Sequence, residues 1–141
     1  GTRSLDEMLA RLGAYARAHP QAPWLLGRGW NQELWPTRAM PTAADVDRAV
    51  ADRPVLLSRV DGHAAVANSA ALRLAGITAA TPDPAGGRIV RGPGGAPTGL
   101  LIDAAQELVE RRIPAPTPAQ DSLALATALR RLAAVGVTAV H

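Results

Sequence analysis

The sequence contains no cysteine, no lysine and no phenylalanine among its 141 residues. Without cysteine, a disulfide scaffold, a cysteine-bound zinc site and a thiol nucleophile are all excluded. No apolar run reaches the roughly 18 residues that cross a bilayer, and the first residues lack the apolar segment of a signal peptide. We therefore expect a cytoplasmic protein with no membrane partner. Aromatic residues make up only 3%, so the core has to be built mainly from aliphatic side chains and alanine.

The basic character of the chain comes entirely from arginine. Fifteen basic residues oppose 12 acidic ones, and the sequence pI is about 10.9. Because arginine titrates far above pH 10, a small excess raises the pI strongly. The arginines are scattered, with adjacent pairs only at 111–112 and 130–131. This distribution is typical of solvated helix faces and predicts no nucleic-acid partner.

The spacing of apolar residues predicts an α+β fold, with a small mixed sheet, a β-hairpin and four to five helices in one domain over 1–141. Capping residues, prolines and glycines set the expected boundaries. The predicted helices cover 4–19, 43–51, 68–75, 100–112 and 117–136, the predicted strands cover 24–30, 54–60 and 137–140, and the hairpin lies within 78–99.

The most informative polar cluster follows the predicted strand 54–60. Asp61, Gly62 and His63 form a turn at the kind of strand end where α/β proteins place ligand sites. His63 has the chemistry to donate to an oxyanion or to move a proton, and Arg59 and Asp61 can pair with each other or with a substrate. The alternative interpretation is structural: an Asx-type turn that carries an exposed histidine.

A second cluster surrounds Trp30 and Asn31. The glycines that flank Arg28 allow close approach of the backbone, and Trp30 offers a large apolar face to a pocket. The alternative is that Trp30 anchors the core of a protein with few aromatic residues. The three histidines, His19, His63 and His141, show no metal-binding spacing, so this chain by itself gives no signal for a metal site.

Five ordered blocks of sequence resemble amidohydrolase family 3, the metal-dependent amidohydrolases similar to N-substituted formamide deformylase. The blocks are WLLGRGWNQELWP at 24–36, PT at 41–42 opening a helix with acids at 45 and 47, RPVLLSRVDGHAAVANSAALRLAGI at 53–77, PTGLLIDAA at 97–105 and GVTAVH at 136–141. Together they cover most of the chain in the family's order, and the block at 53–77 is the most specific.

The resemblance implies a longer protein built on a (β/α)₈ barrel. This chain would be an excised internal segment of it, with an insertion region over about 20–115 and a helix plus barrel-type strand over 117–141. The family's paired histidines and its later metal ligands are absent here. A divalent metal, with zinc the expected ion, is thus implied for the whole enzyme, and no metal ligand is expected in this segment.

The implied activity is hydrolysis of non-peptide C–N bonds in a small amide-type substrate, which this segment helps to enclose. His63 and Asp61 are the candidate catalytic residues, and the candidate substrate-binding residues are Arg59, Trp30, Asn31 and Asn68. The alternative is a non-catalytic binding or regulatory module on the same scaffold. Because a segment cut at barrel strands would expose apolar surface, we also expect self-association into a homo-oligomer.

Overall fold

The computed structural model describes residues 1–140, and in this range the chain forms five α-helices and a five-stranded sheet. His141 lies outside the described residues. The helices are α1 (Leu5–Ala18), α2 (Ala43–Ala49), α3 (Ser69–Ala75), α4 (Glu107–Glu110) and α5 (Pro118–Ala134). The strands are β1 (Leu25–Trp30), β2 (Val55–Arg59), β3 (Ala64–Ala67), β4 (Gly87–Arg91) and β5 (Pro97–Asp103).

The sheet is mixed, as the sequence predicts, with the strand order β1-β2-β3-β5-β4. Strands β1 and β2 run parallel, and α2 lies in the connection between them. The other three pairings are antiparallel. Strands β4 and β5 form the predicted hairpin, in which Ile89 lies opposite Leu101.

Two apolar clusters cover the two faces of the sheet. Successive residues of a strand point to opposite faces, so Val55 and Leu57 join one cluster while Leu56 joins the other. The first cluster contains residues of α1 and α2 with both buried tryptophans, and the second contains residues of α3 and α4. Because both faces of the sheet are covered, the central strands contain consecutive apolar residues and not an alternation of apolar and polar ones.

Local sequence signals determine where the helices begin and end. Thr42 and Asp45 form a reciprocal capping box at the start of α2, and Asn68 caps α3 through the backbone N–H of Ala71. Gly76 ends α3 in the left-handed conformation at φ 69°, and Ile77 closes the end by donating its N–H to the carbonyl of Leu72. These predicted boundaries are confirmed.

The helix predicted over 100–112 is wrong in its first half. Residues 100–103 continue β5, a 3₁₀ turn follows at Ala104–Gln106, and only Glu107–Glu110 is α-helical. Leu100 is buried against one face of the sheet and Leu101 against the other. A central strand can bury both side chains, whereas neighbouring residues of a surface helix diverge by about 100°.

Helix α5 stands apart from the sheet and has no buried residue. Thr117 and Gln120 form a capping box at its start, which agrees with the predicted start of this helix. The strand predicted over 137–140 is not formed. At the end of α5, the N–H groups of Gly136 and Val137 bond back to the carbonyls of Ala133 and Leu132. Of the helices described within 1–140, none is both long enough and apolar enough to cross a membrane.

Candidate functional site

The predicted Asp61-Gly62-His63 turn joins β2 to β3 in the middle of the sheet. Gly62 has φ +79° and lies in open space, so it turns the chain at a conformation that side chains rarely adopt. The Asp61 carboxylate accepts the backbone N–H of His63 at 3.1 Å. The turn is therefore of the Asx type, as the structural interpretation of the sequence predicts.

Arg59 is held on two sides at the end of β2. Its guanidinium pairs with the carboxylate of Asp61, and its Nε donates to Oε1 of the buried Gln32 at 2.9 Å. Partial desolvation raises the pKa of Asp61, but the His63 backbone N–H and the Arg59 guanidinium lower that pKa by more, so it falls below its usual value. Asp61 is thus kept ionised and occupied by its neighbours.

His63 contacts a carboxylate from a different strand. Its Nδ1 lies 2.8 Å from Oδ1 of Asp103, the last residue of β5. The hydrogen bond and the negative charge of Asp103 raise the pKa of the imidazole above its usual value, and Asp61 adds to the effect, while desolvation and Arg59 oppose it. The side chain of His63 is 76% exposed, so the ring is available to a ligand.

A polar cleft of about 580 Å³ lies beside this turn. His63 is not among its lining residues, but its neighbour Gly62 and its partner Asp103 both line the cleft. Guanidinium and imidazole donors beside carboxylates can orient a small polar molecule and stabilise a developing oxyanion. The cleft is lined by Arg28, Ser58, Arg59, Gly62, Asp103, Ala104, Gln106, Glu107 and Glu110.

Trp30, one of the candidate substrate-binding residues, does not line the polar cleft. It is buried, its Nε1 donates to the carbonyl of Leu57 at 2.7 Å, and its ring lies 6.1 Å from that of Trp35. It lines a separate cavity of about 310 Å³ between α1 and β1 and is not among the residues of the polar cleft. This geometry matches the alternative interpretation of Trp30 as a core anchor.

Asn31 and Asn68 both cap helices. The side chain of Asn31 accepts the N–H of Glu33 at 3.1 Å at the start of a short 3₁₀ turn. Asn68 is fully buried, and four hydrogen bonds occupy both the oxygen and the nitrogen of its amide. The substrate-binding role predicted for Asn68 therefore finds no support in this geometry.

The described residues do not fit a metal centre. Within 1–140, no three histidine, aspartate or glutamate side chains converge on a point where they could hold an ion. His63, Asp61 and Asp103 come nearest in composition, but Arg59 already neutralises Asp61, and its positive charge disfavours a cation there.

Sequence reasoning missed three residues of this site. Asp103 holds His63, Gln32 holds Arg59, and Gln106 donates its side-chain N–H to the carbonyl of Gly62 at 2.9 Å. The one available signal was an acid that ends the apolar run 100–102, and the helix prediction for this stretch concealed it. For the two glutamines the sequence offers no signal.

The chain is similar to known proteins over most or all of its length. The model of the Amidohydrolase family matches residues 1–141. The chain is 42% identical to the Bacillus subtilis protein YtcJ, whose name assigns it to the amidohydrolases, over 98% of the chain and 26% of YtcJ. It is 38% identical to an N-substituted formamide deformylase of Arthrobacter pascens over 75% of the chain and 20% of that protein.

A solved structure shows a similar fold. The crystal structure of an uncharacterized metal-dependent hydrolase from Pyrococcus horikoshii superposes with a TM-score of 0.58 at 25% identity, over 80% of this chain and 19% of that one. The chain therefore spans about a quarter or less of the length of each of these proteins.

Proposed function

Because this chain belongs to the amidohydrolase family, we propose that it is one part of a metal-dependent enzyme that hydrolyses non-peptide C–N bonds in small amide- or formamide-type molecules. The match along the whole chain and the similarity to a formamide deformylase support this class of reaction. The name of the similar Pyrococcus structure supports dependence on a metal. We place the enzyme in the cytoplasm, as the sequence leads us to expect.

The metal belongs to another part of the enzyme in this proposal. The described residues do not fit such a centre, and the chain corresponds to only a part of its relatives. A divalent metal, with zinc the expected ion, would thus be held by residues outside this chain. The task left to this segment is to bind and enclose the substrate.

The main support for a role in substrate binding is the geometry of the turn at His63. The imidazole is exposed beside two residues that line the polar cleft, Gly62 and Asp103. Asp103 engages its Nδ1, and Asp61 and Gln32 fix Arg59 within the cleft. In our proposal His63 contacts the substrate carbonyl or the oxyanion that forms from it. Arg59 orients the substrate, and the raised pKa of His63 favours the imidazolium, the form in which both ring nitrogens donate.

Replacing His63 in the full-length protein tests this role. We expect His63→Ala to lower kcat/KM for formate release from an N-alkylformamide by about 100-fold, the order lost when one positioned donor to an oxyanion is removed. His19→Ala is the matched control, because the His19 side chain is also exposed but hydrogen-bonds only to the carbonyl of Tyr15 in α1 among the described residues. We expect this control to keep the wild-type kcat/KM.

Two results would contradict the proposal. An unchanged kcat/KM in His63→Ala would remove His63 from the reaction. Full-length protein that is loaded with metal, binds amide-type molecules and hydrolyses none of them would instead favour the non-catalytic binding module.

A further inference from the structure

We propose that Asp103 is a positioning residue for His63: it holds Nδ1 of the imidazole and thereby leaves Nε2 as the atom presented to the substrate. This inference rests on the proposed function, in which His63 contacts the substrate. Asp103 lies 40 residues from His63 in the sequence, and neither the family resemblance nor the sequence pattern identified it.

Two hydrogen bonds join the same two residues. The backbone N–H of Asp103 donates to the carbonyl of His63 at 3.0 Å, and the side chains meet at 2.8 Å. Pairing of β3 with β5, which sets Ala64 opposite Ile102, brings the strand ends together. The register of the sheet therefore brings the two side chains within contact distance.

The backbone at Asp103 is strained in a way that serves this contact. Asp103 has φ 47° and ψ −125°, and it is one of two non-glycine residues with positive φ in the described chain. Such conformations persist only where surrounding structure enforces them, and they cluster at functional sites. Here the chain passes from β5 into a 3₁₀ turn. The side chain of Gln106 in this turn donates to the carbonyl of Gly62 and so ties it to the turn that carries His63.

The hydrogen bond selects the tautomer of His63. A carboxylate only accepts, so Nδ1 must carry a hydrogen, and this leaves Nε2 as an acceptor in the neutral ring and a donor in the imidazolium. Within residues 1–140, Nε2 has no hydrogen-bond partner in the protein. A side chain this exposed would otherwise sample several rotamers, so the bond also limits the entropy lost when a substrate binds.

The charges around the ring favour the imidazolium. Asp103 approaches from β5, Asp61 from the turn and Arg59 from β2, and the first two outweigh the third in raising the pKa of His63. The same cleft also contains Arg28 from β1 and two acids of α4, Glu107 and Glu110. The protonated ring would offer Nε2–H to an oxygen that gains negative charge, as an oxyanion does.

Asp103→Asn is the most informative variant. Asparagine accepts the same hydrogen bond and tolerates positive φ, but it removes the negative charge. We expect kcat/KM to fall about 10-fold at neutral pH and the pKa of the His63 imidazole, read by NMR of histidine-labelled full-length protein, to fall. Since the imidazolium is the active form, the loss of activity on the alkaline side should move to lower pH.

A double-mutant cycle separates positioning from a structural role. If Asp103 acts only through His63, then Asp103→Asn should cause no further loss of kcat/KM in the His63→Ala background. Asp83→Asn is the control, because Asp83 is also an exposed carboxylate in an ion pair, in its case with Arg91, but does not line the cleft. It should change neither kcat/KM nor the pKa of His63.

The outcomes distinguish this inference from the proposed function. Equal losses from Asp103→Asn in both backgrounds, or an unchanged pKa of His63, would overturn the positioning role alone. An unchanged kcat/KM in His63→Ala would overturn the proposed function, and this inference with it.

Discussion

At the scale of single residues, Asn68 shows how one amide connects three elements. Its oxygen accepts the N–H groups of Val55 and Ala71, and its nitrogen donates to the carbonyls of Val50 and Arg53. These four partners are the C-cap residue of α2, a residue of the loop before β2, the first residue of β2 and a residue of the first turn of α3. Removing the side chain would leave several buried backbone groups without a partner, and each such group costs about 1–3 kcal/mol.

We therefore expect Asn68→Ala to lower the free energy of unfolding of this chain by about 3 kcal/mol, measured by urea denaturation. Asn31→Ala is the matched control, since Asn31 also caps a helix but does so at a partly exposed 3₁₀ turn with one hydrogen bond. It should cost less than about 1 kcal/mol. Equal losses in the two variants would show that the buried network adds nothing beyond capping.

Only part of the site could be predicted from residues that are close in the sequence. Asp61 and His63 are two residues apart, so the turn was predictable from its own residues. The contacts of Asp103 with His63, of Gln106 with Gly62 and of Gln32 with Arg59 join positions 40, 44 and 27 residues apart. Sheet pairing brings these partners together, and a pattern within a short window carries no record of that pairing.

At the scale of elements, β5 explains the main error in the predicted fold. The stretch LLIDAAQELVE has good helix formers at helical spacing, so local preference favours a helix. Pairing with both β3 and β4 overrides this preference up to Asp103. Strand β3 was not predicted for a similar reason. Its residues AAVA have little β preference, and pairing with β2 on one side and β5 on the other holds them in the extended conformation.

Gly99 lets β5 pass very close to α2. Its φ is +96°, and a Cβ at this position would lie 2.5 Å from the carbonyl oxygen of Ala67 and 2.7 Å from the backbone N of Ala43. Both obstacles are backbone atoms, so no side-chain rotation can relieve the clash. The close approach helps hold the first turn of α2 against the sheet.

Gly99→Ala should therefore lower the free energy of unfolding by about 3 kcal/mol or more, from backbone strain and overpacking together. Gly94→Ala is the control for strain alone, because Gly94 at the hairpin tip has φ +83° with no atom near the added Cβ. It should cost about 1 kcal/mol. If urea denaturation gives the same loss for both, the approach of β5 to α2 has no energetic importance.

At the scale of the whole molecule, the chain divides into a packed part and an exposed helix. The sheet with α1 to α4 contains both apolar clusters. The residues of these clusters could be predicted from the apolar runs 54–60 and 100–102 and from the regularly spaced apolar residues of the helices. Helix α5 was also predicted, but its lack of packing was not. Its stripe of Leu125, Leu129 and Leu132 has the spacing of a buried face, yet Leu125 is 61% exposed and Leu129 is 55% exposed.

We predict that this exposed stripe drives self-association of the 141-residue chain. Apolar side chains at helical spacing tend to associate when no other element covers them, so we expect the chain to form oligomers as its concentration rises. Leu129→Gln keeps the helix propensity of leucine almost unchanged and should shift sedimentation velocity profiles towards the monomer. Leu74→Gln is the matched control, because Leu74 is also a helical leucine with 55% exposure, but it lies on α3. If both variants associate as the wild type does, the stripe on α5 is not the surface through which copies meet.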